Sequence, residues 1–190
     1  MTNIDKSDKE LKEVWHYLSD AGRKDRMHGY EDAIAAYTKA INTSTNSDHI
    51  ANAYQHRGFT KATFIEYQEA IEDYNKAIEI DPNDSTAHNS RGYAKCKLQR
   101  YQEAIDDYSR AIDTSTEADQ IANNYLFRGD AKLKSKQYQE AIKDYNKAIE
   151  IGPYPYVANA YLNRGYAKFK LKQNQEAIDD YNISIEKDPN

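Results

Sequence analysis

The chain has 190 residues, with 26 Lys and Arg against 31 Asp and Glu, a net charge of −5 and a mean hydropathy of −1.00. It has no apolar run of the roughly 18 residues that a membrane span needs, and its single cysteine, Cys96, excludes an internal disulfide and a thiolate-rich metal site. The acidic total and the absence of a signal sequence predict a cytoplasmic protein with no nucleic-acid and no membrane partner.

The chain is predicted to fold although its apolar content is low. Leu, Ile, Val and Phe together number only 30, but aromatic residues reach 12% and include 17 Tyr. Disordered chains are poor in aromatic residues. The composition therefore indicates a folded chain whose core depends on tyrosine.

An internal repeat organises the sequence. The segments YQEAIEDYNKAIEIDPN, YQEAIDDYSRAIDTS, YQEAIKDYNKAIEIGP and NQEAIDDYNISIEKDPN share one pattern, and YEDAIAAYTKAINTS is an earlier copy. Five units begin near residues 14, 51, 85, 122 and 158, with a base period of 34 residues and short insertions. We predict a lead-in over 1–13, a single domain over 14–190, and longer linkers at 43–51 and 114–122.

Each unit is predicted to form two helices. In the second unit Tyr67, Ala70 and Tyr74 recur at steps of three and four residues, which is typical of an amphipathic helix. Pro82 then ends that helix. Gly58 recurs in the first helix of later units, and we expect it to permit a close approach of the second helix at the small residue Ala70.

This pattern resembles the tetratricopeptide repeat. The fourth unit carries the family's residues Tyr125, Gly129, Tyr138, Ala141, Tyr145, Ala148 and Pro153. The resemblance covers residues 14–190. It implies an all-α fold, an α-solenoid in which five antiparallel helix pairs form a right-handed superhelix and the first helices line a concave groove. It also implies a protein-interaction module.

Motifs for catalysis are missing from the sequence. The five His residues form no HExxH pair, and there is neither a GxSxG motif nor a Walker loop. We therefore expect no enzyme activity, no cofactor and no metal site.

Charge is distributed unequally between the two helices of each unit. In units two to five the first helices carry a net +10 and the second helices −11. An Arg and an Asp recur together in these units, whereas unit one has Asp20 and Ala36 at the two sites. We predict structural ion pairs, each costing about 3 kcal/mol or more to break on one side. The pairs are Arg57–Asp73, Arg91–Asp107, Arg128–Asp144 and Arg164–Asp180.

Another face of the first helices is predicted to line the groove. Positions two, five, nine, twelve and thirteen of each first helix share a side turned away from the Tyr and Gly face. Asn side chains, aromatic rings and a row of Lys suit an extended acidic segment of a protein or peptide partner; a merely solvated face is the open alternative. The predicted groove residues are Asn52, Gln55, Phe59, Asn89, Tyr93, Lys97, Asn123, Leu126, Asp130, Lys134, Asn159, Leu162, Tyr166 and Lys170, and Cys96, Leu133 and Phe169 share the face.

The last second helix departs from the others. Ile183 stands where the earlier units have Lys or Arg, and Ser184 replaces the recurring Ala. With Ile178, Tyr181 and Ile185, Ile183 is predicted to form an exposed apolar stripe. Two interpretations stay open: the native chain is longer, or the stripe docks against another copy. The second gives a homodimer and makes a self-assembling scaffold the alternative function.

Overall fold

A computed structural model describes residues 26–152 and 156–188, which form nine α-helices and no strand. The predicted lead-in, the first helix of unit one, Pro153 and Pro189 lie outside the described residues. The helices are α1 (Arg26–Thr43), α2 (Ser47–Thr63), α3 (Tyr67–Ile80), α4 (Ser85–Lys97), α5 (Tyr101–Thr114), α6 (Ala118–Lys134), α7 (Tyr138–Ile151), α8 (Tyr156–Lys170) and α9 (Asn174–Lys187).

The chain divides into two compact units, Met1–Ser90 and Arg91–Asn190. In the first unit α1 packs on α2, and α2 packs on α3. In the second unit each helix from α5 to α8 packs on its successor, and α6 also contacts α8. Chain neighbours are thus neighbours in space, as in an α-solenoid, and the predicted all-α class is confirmed.

The residues inserted between repeats lengthen the first helices. Helices α2 and α6 each have 17 residues, whereas α4 has 13. Asn46 caps α2, because its Oδ1 accepts the backbone N–H of Asp48 at 2.8 Å. Asp48 and Asp119 lie in the first turns of α2 and α6, where the helix dipole favours a carboxylate. The predicted linkers 43–51 and 114–122 are therefore helical over much of their length, and only residues 44–46 and 115–117 connect the helices there.

The turn inside each helix pair places one residue in the left-handed region. After α6, the N–H of Lys136 donates to the carbonyl of Leu133 at 3.0 Å, and the N–H of Gln137 donates to that of Lys132 at 2.8 Å. These two bonds form a Schellman motif, which satisfies carbonyls at the helix end. The left-handed residues are Ile65, Gln99, Lys136 and Lys172, with φ between 61° and 71°.

The core is built from tyrosine and alanine. Tyr37, Tyr74, Tyr108 and Tyr145 on the second helices are each at most 2% exposed. The ring of Tyr145 clusters with alanines of its own helix and of α8. A core made of these residues explains how a chain poor in Leu and Val still folds.

The recurring glycine makes room for the tyrosine ring. A Cβ atom on Gly129 would lie 2.7 Å from Cε1 of Tyr145, and one on Gly58 would lie 2.9 Å from Cε1 of Tyr74. The predicted close approach is confirmed, but its main partner is the ring. The carbonyl oxygen of the predicted partner, Ala70, lies 3.1 Å from the same point.

Candidate partner-binding face

Buried ion pairs hold each helix pair together. In the fourth repeat, Nη2 of Arg128 donates to Oδ1 of Asp144 at 2.7 Å, and Nε donates to Oδ2 at 2.9 Å. This bidentate geometry is the strongest that Arg and a carboxylate adopt. The predicted Arg–Asp pairs are confirmed in all four repeats, with distances of 2.6 Å for Arg57–Asp73, 2.5 Å for Arg91–Asp107 and 2.6 Å for Arg164–Asp180.

A lysine that sequence reasoning missed completes each pair. Nζ of Lys132 lies 2.7 Å from Oδ2 of Asp144, so this carboxylate meets two cations. The signal was present in the sequence, since a Lys follows the Arg by four residues in each of these units and thus lies one turn along the same face. The equivalent lysines, at 2.7 to 2.9 Å, are Lys61, Lys95 and Lys168.

The arginine also contacts the preceding repeat. Nη1 of Arg128 donates to Oγ of Ser109 at 3.0 Å, and Nη1 of Arg57 donates to Oγ1 of Thr38 at 2.8 Å. The guanidinium of Arg128 lies 5.1 Å from the ring centroid of Tyr125, a cation–π contact. These arginines and their lysines are therefore structural, and a partner-binding face must use other residues.

Three further lysines lie on the predicted groove positions of the second compact unit. Lys97, Lys134 and Lys170 are exposed. Nζ of Lys97 lies 5.0 Å from the ring centroid of Tyr93, and Nζ of Lys170 lies 5.0 Å from that of Tyr166. Both rings are themselves more than 40% exposed. This face thus presents lysine ammonium groups beside solvent-exposed aromatic rings.

The predicted groove residues of the first compact unit differ in accessibility. Phe59 is 62% exposed, and Asn52 is also exposed. Gln55 is half-buried, and its Nε2 donates to Oδ2 of Asp84 at 2.9 Å. Asn89 is half-buried as well. Phe59 is therefore the main apolar contact that this part of the face offers.

One predicted groove residue belongs to the core. Leu126 is only 4% exposed and packs in the cluster that contains Ala160 of α8, so the prediction that it lines an open face is wrong. Leu126, the fifth residue of unit four counted from Ala122, is covered because α8 packs against α6. Leu162, the fifth residue of unit five counted from Ala158, has no following first helix among the described residues and is 47% exposed. Asn159 and Phe169 are exposed too.

Helix α6 carries two polar groups on the predicted face. Oδ1 of Asp130 accepts hydrogen bonds from Oη of Tyr145 and from Nδ2 of Asn163, both at 2.8 Å. Burial raises the pKa of Asp130, although these bonds and the charge of Lys134 act in the opposite direction. Within the described residues, the buried Oδ1 of Asn123 has no hydrogen-bond partner.

The predicted oligomer face on α9 is partly open. Ile178 is 51% exposed and Ile185 63%, whereas Tyr181 and Ile183 are half-buried. Ser184 is buried, and its Oγ donates to a backbone carbonyl of α8 at 2.9 Å. The serine therefore points into the repeat and is not part of the stripe.

The described ranges contain neither a metal-ion cluster nor a helix suited to crossing a membrane. Over residues 26–152 and 156–188, no group of three or more His, Cys, Asp or Glu side chains is placed to hold a metal ion. Among the helices described, none combines the length and the apolar character that crossing a membrane requires.

Family models match most of the repeat region. A tetratricopeptide repeat model matches residues 84–153, a TPR repeat model matches 66–99, and a second tetratricopeptide repeat model matches 158–190. A comparison with curated protein sequences gave no match.

Solved structures of similar fold cover nearly the whole chain. A crystal structure of MamA is 26% identical, with a TM-score of 0.77 over 86% of this chain and 91% of that one. MamA 41-end from Desulfovibrio magneticus RS-1 is 19% identical, with a TM-score of 0.75 over 91% and 93%. YrrB, described as a TPR protein with an unusual peptide-binding site, is 20% identical, with a TM-score of 0.73 over 100% and 94%. This chain belongs to the tetratricopeptide repeat family, whose members are protein-interaction modules.

Proposed function

We propose that this chain is a non-catalytic adaptor that binds an extended, acidic segment of a partner protein on the exposed face of its first helices. The observation that carries the proposal is the division of the basic residues. Each buried Asp forms ion pairs with one Arg and one Lys, as Asp144 does. In contrast, Lys97, Lys134 and Lys170 are exposed at the predicted groove positions. Exposed charges contribute little to stability, so a row of them on one face favours a role in binding.

The neighbouring groups suit a peptide in extended conformation. Residues on one side of an extended strand recur about every 7 Å, so several carboxylates can face the row at once. The exposed rings of Tyr93 and Tyr166 offer apolar contact beside the lysines, and the exposed amide of Asn159 can bond to peptide backbone. The structural likeness to YrrB, at 20% identity, supports the proposal only as an example of the fold in a protein described as having a peptide-binding site.

The test compares wild type with the triple variant Lys97→Glu, Lys134→Glu, Lys170→Glu. The probe is a fluorescein-labelled dodecapeptide of alternating Glu and Ser, and binding is followed by fluorescence anisotropy. We expect the triple variant to bind at least about tenfold more weakly, because three attractive charges become repulsive. Binding by wild type should also weaken with added salt, since exposed charges are screened.

A matched control carries the same charge change elsewhere. Lys76, Lys143 and Lys147 are exposed on the second helices, and their triple replacement by Glu should leave peptide affinity within about twofold of wild type. Equal affinity of wild type and the first triple variant, or equal losses in both triple variants, would contradict the proposal.

The exposed stripe on α9 favours self-assembly as a second candidate function. Ile178 and Ile185 are both more than half exposed, and an apolar stripe of this kind is costly in water. A second copy would cover it, and a two-fold dimer is the simplest closed arrangement. Sedimentation equilibrium should show a dimer for wild type and a monomer for Ile183→Lys. A monomer in both samples would rule this candidate out.

A further inference from the structure

Asp130 breaks the pattern of its position. The ninth residue of the first helix is aromatic in units two, three and five, where it is Phe59, Tyr93 and Tyr166. In unit four the same position holds a carboxylate, next to the lysine row and one turn from Lys134. The repeat offers a well-tolerated aromatic alternative here, so the acidic residue needs its own explanation.

The carboxylate is held in place by one of its two oxygens. Oδ1 accepts both hydrogen bonds, from Tyr145 on α7 and from Asn163 on α8. Among the described residues, nothing donates a hydrogen bond to Oδ2, the second oxygen of this half-buried carboxylate. The two bonds thus fix the carboxylate and leave one acceptor without a donor among the described residues.

The charge is also placed where it costs stability. Burial raises the pKa of Asp130, so the ionised form is less favourable in the folded protein than in the unfolded chain. A neutral Asn could accept the same two bonds from Tyr145 and Asn163, and local departures from the most stable choice are concentrated at functional sites. A ligand that donates a hydrogen bond to Oδ2 would offset that cost.

The surroundings decide which donor fits best. The charged and titratable groups near Asp130 are Lys134 on its own helix, Cys96 on α4, Tyr108 on α5 and Tyr145 on α7. A Lys or Arg of the ligand would meet the lysine row, and a Glu or Asp would meet the carboxylate itself. An uncharged donor avoids both repulsions.

Resting on the proposed function, we infer that Asp130 selects an uncharged hydrogen-bond donor, the side-chain amide of Gln or Asn, at one position of an otherwise acidic bound segment. Gln and Glu are a matched pair in shape, but the Gln amide is neutral and donates a hydrogen bond, whereas the Glu carboxylate is charged and only accepts. On the protein side, the variant Asp130→Asn makes the corresponding change from a carboxylate to an amide.

The experiment replaces each Glu of the dodecapeptide of alternating Glu and Ser, one at a time, by Gln. Affinities are measured at neutral pH by fluorescence anisotropy for wild type and for Asp130→Asn. We expect one position at which Gln binds wild type about tenfold or more tighter than Glu, as for a hydrogen bond to a charged group. In Asp130→Asn that preference should fall to within about twofold.

The control is Asp119→Asn, which removes an exposed carboxylate from the first turn of the same helix and should keep the preference for Gln. If no position prefers Gln, or if the preference persists in Asp130→Asn, the inference about Asp130 is overturned while the adaptor proposal stands. If neither Glu nor Gln peptides bind wild type, the adaptor proposal itself fails and the inference falls with it.

Discussion

Gly129 and Tyr145 form one packing contact in the helical core from two residue types that are uncommon there. Glycine is a poor helix former, and tyrosine is seldom fully buried. Here the missing side chain of Gly129 leaves space that the ring of Tyr145 fills, with a would-be Cβ only 2.7 Å from Cε1. The same pairing joins Gly58 to Tyr74. The two residues therefore have to be considered as one packing unit.

We predict that Gly129→Ala destabilises the protein. Alanine gains about 1 kcal/mol over glycine in a helix, but its methyl group would overlap the ring of Tyr145, and overpacking costs about 1–3 kcal/mol. The free energy of unfolding should therefore fall, as measured by urea denaturation. In a Tyr145→Leu background the same substitution should lose its cost, because the ring is gone. A rise in stability in the wild-type background would contradict the packing argument.

Asp130→Asn should have the opposite effect on stability. The asparagine oxygen can still accept from Tyr145 and Asn163, while the buried charge is removed, so a gain of about 1 kcal/mol at neutral pH is expected. Since burial raises the pKa of Asp130, the folded protein takes up this proton before the unfolded chain does. The gain should therefore shrink as pH falls toward the ordinary range of an Asp carboxyl. A difference in Tm that does not change with pH would contradict this explanation.

At the scale of the element, the turn between paired helices carries local strain. Ile65 has φ 71° and is 73% exposed, so a β-branched residue occupies the left-handed region without burying its side chain. That conformation costs an L-residue about 1–2 kcal/mol. The Schellman hydrogen bonds around it, including the one from its own N–H to the carbonyl of Ala62 at 3.1 Å, hold it there.

We predict that Ile65→Gly stabilises the protein by about 1 kcal/mol, because glycine adopts positive φ without steric cost. The greater freedom of glycine in the unfolded chain offsets part of the gain. The matched control is Ile65→Ala, which removes the exposed side chain but keeps the Cβ atom and should give no comparable gain. Thermal denaturation of wild type, Ile65→Gly and Ile65→Ala measures the effects of both substitutions on Tm. Equal Tm values for the two variants would contradict the explanation by backbone strain at residue 65.

The helices and their main ion pairs could be predicted from the sequence, and their finer contacts could not. The stripe through Tyr67, Ala70 and Tyr74 repeats in the first four units, and only its first Tyr is replaced, by Asn174, in unit five. The joint loss of Arg and Asp in unit one indicated that these two residues pair. The exact beginning of α2 escaped prediction because it depends on a single cap, Asn46. The burial of Leu126 could not be predicted either, because helical periodicity does not show which side of a helix the next repeat covers.

At the scale of the whole molecule, stability should spread only between neighbouring elements. Helices from α5 to α9 pack mainly on their chain neighbours, and repeat proteins of this kind behave as chains of nearest-neighbour contacts. The Arg128 guanidinium strengthens one such link through its bond to Ser109. Damage to one repeat should therefore weaken adjacent helices more than distant ones.

We predict that Asp144→Asn gives such a graded pattern. It leaves Arg128 and Lys132 facing a neutral amide, and breaking a buried ion pair costs about 3 kcal/mol or more. Hydrogen exchange should accelerate most in α6 and α7, less in α5 and α8, and least in α9. Glu140→Gln, at an exposed site on α7, should leave exchange unchanged. An equal acceleration from α5 to α9 would show that the second compact unit opens as a single body.

The buried tyrosines give the molecule an optical signal of its own folding. Burial raises the pKa of Tyr37 to about 12 and shifts Tyr74, Tyr108 and Tyr145 in the same direction. In the unfolded chain these phenols ionise near their ordinary pKa of about 10, so alkali stabilises the unfolded state progressively above that pH. Phenolate absorbs at longer wavelength than phenol, and the buried rings can form it only as their repeats open. An alkaline titration followed by ultraviolet absorbance would therefore report the unfolding of the repeats without any attached label.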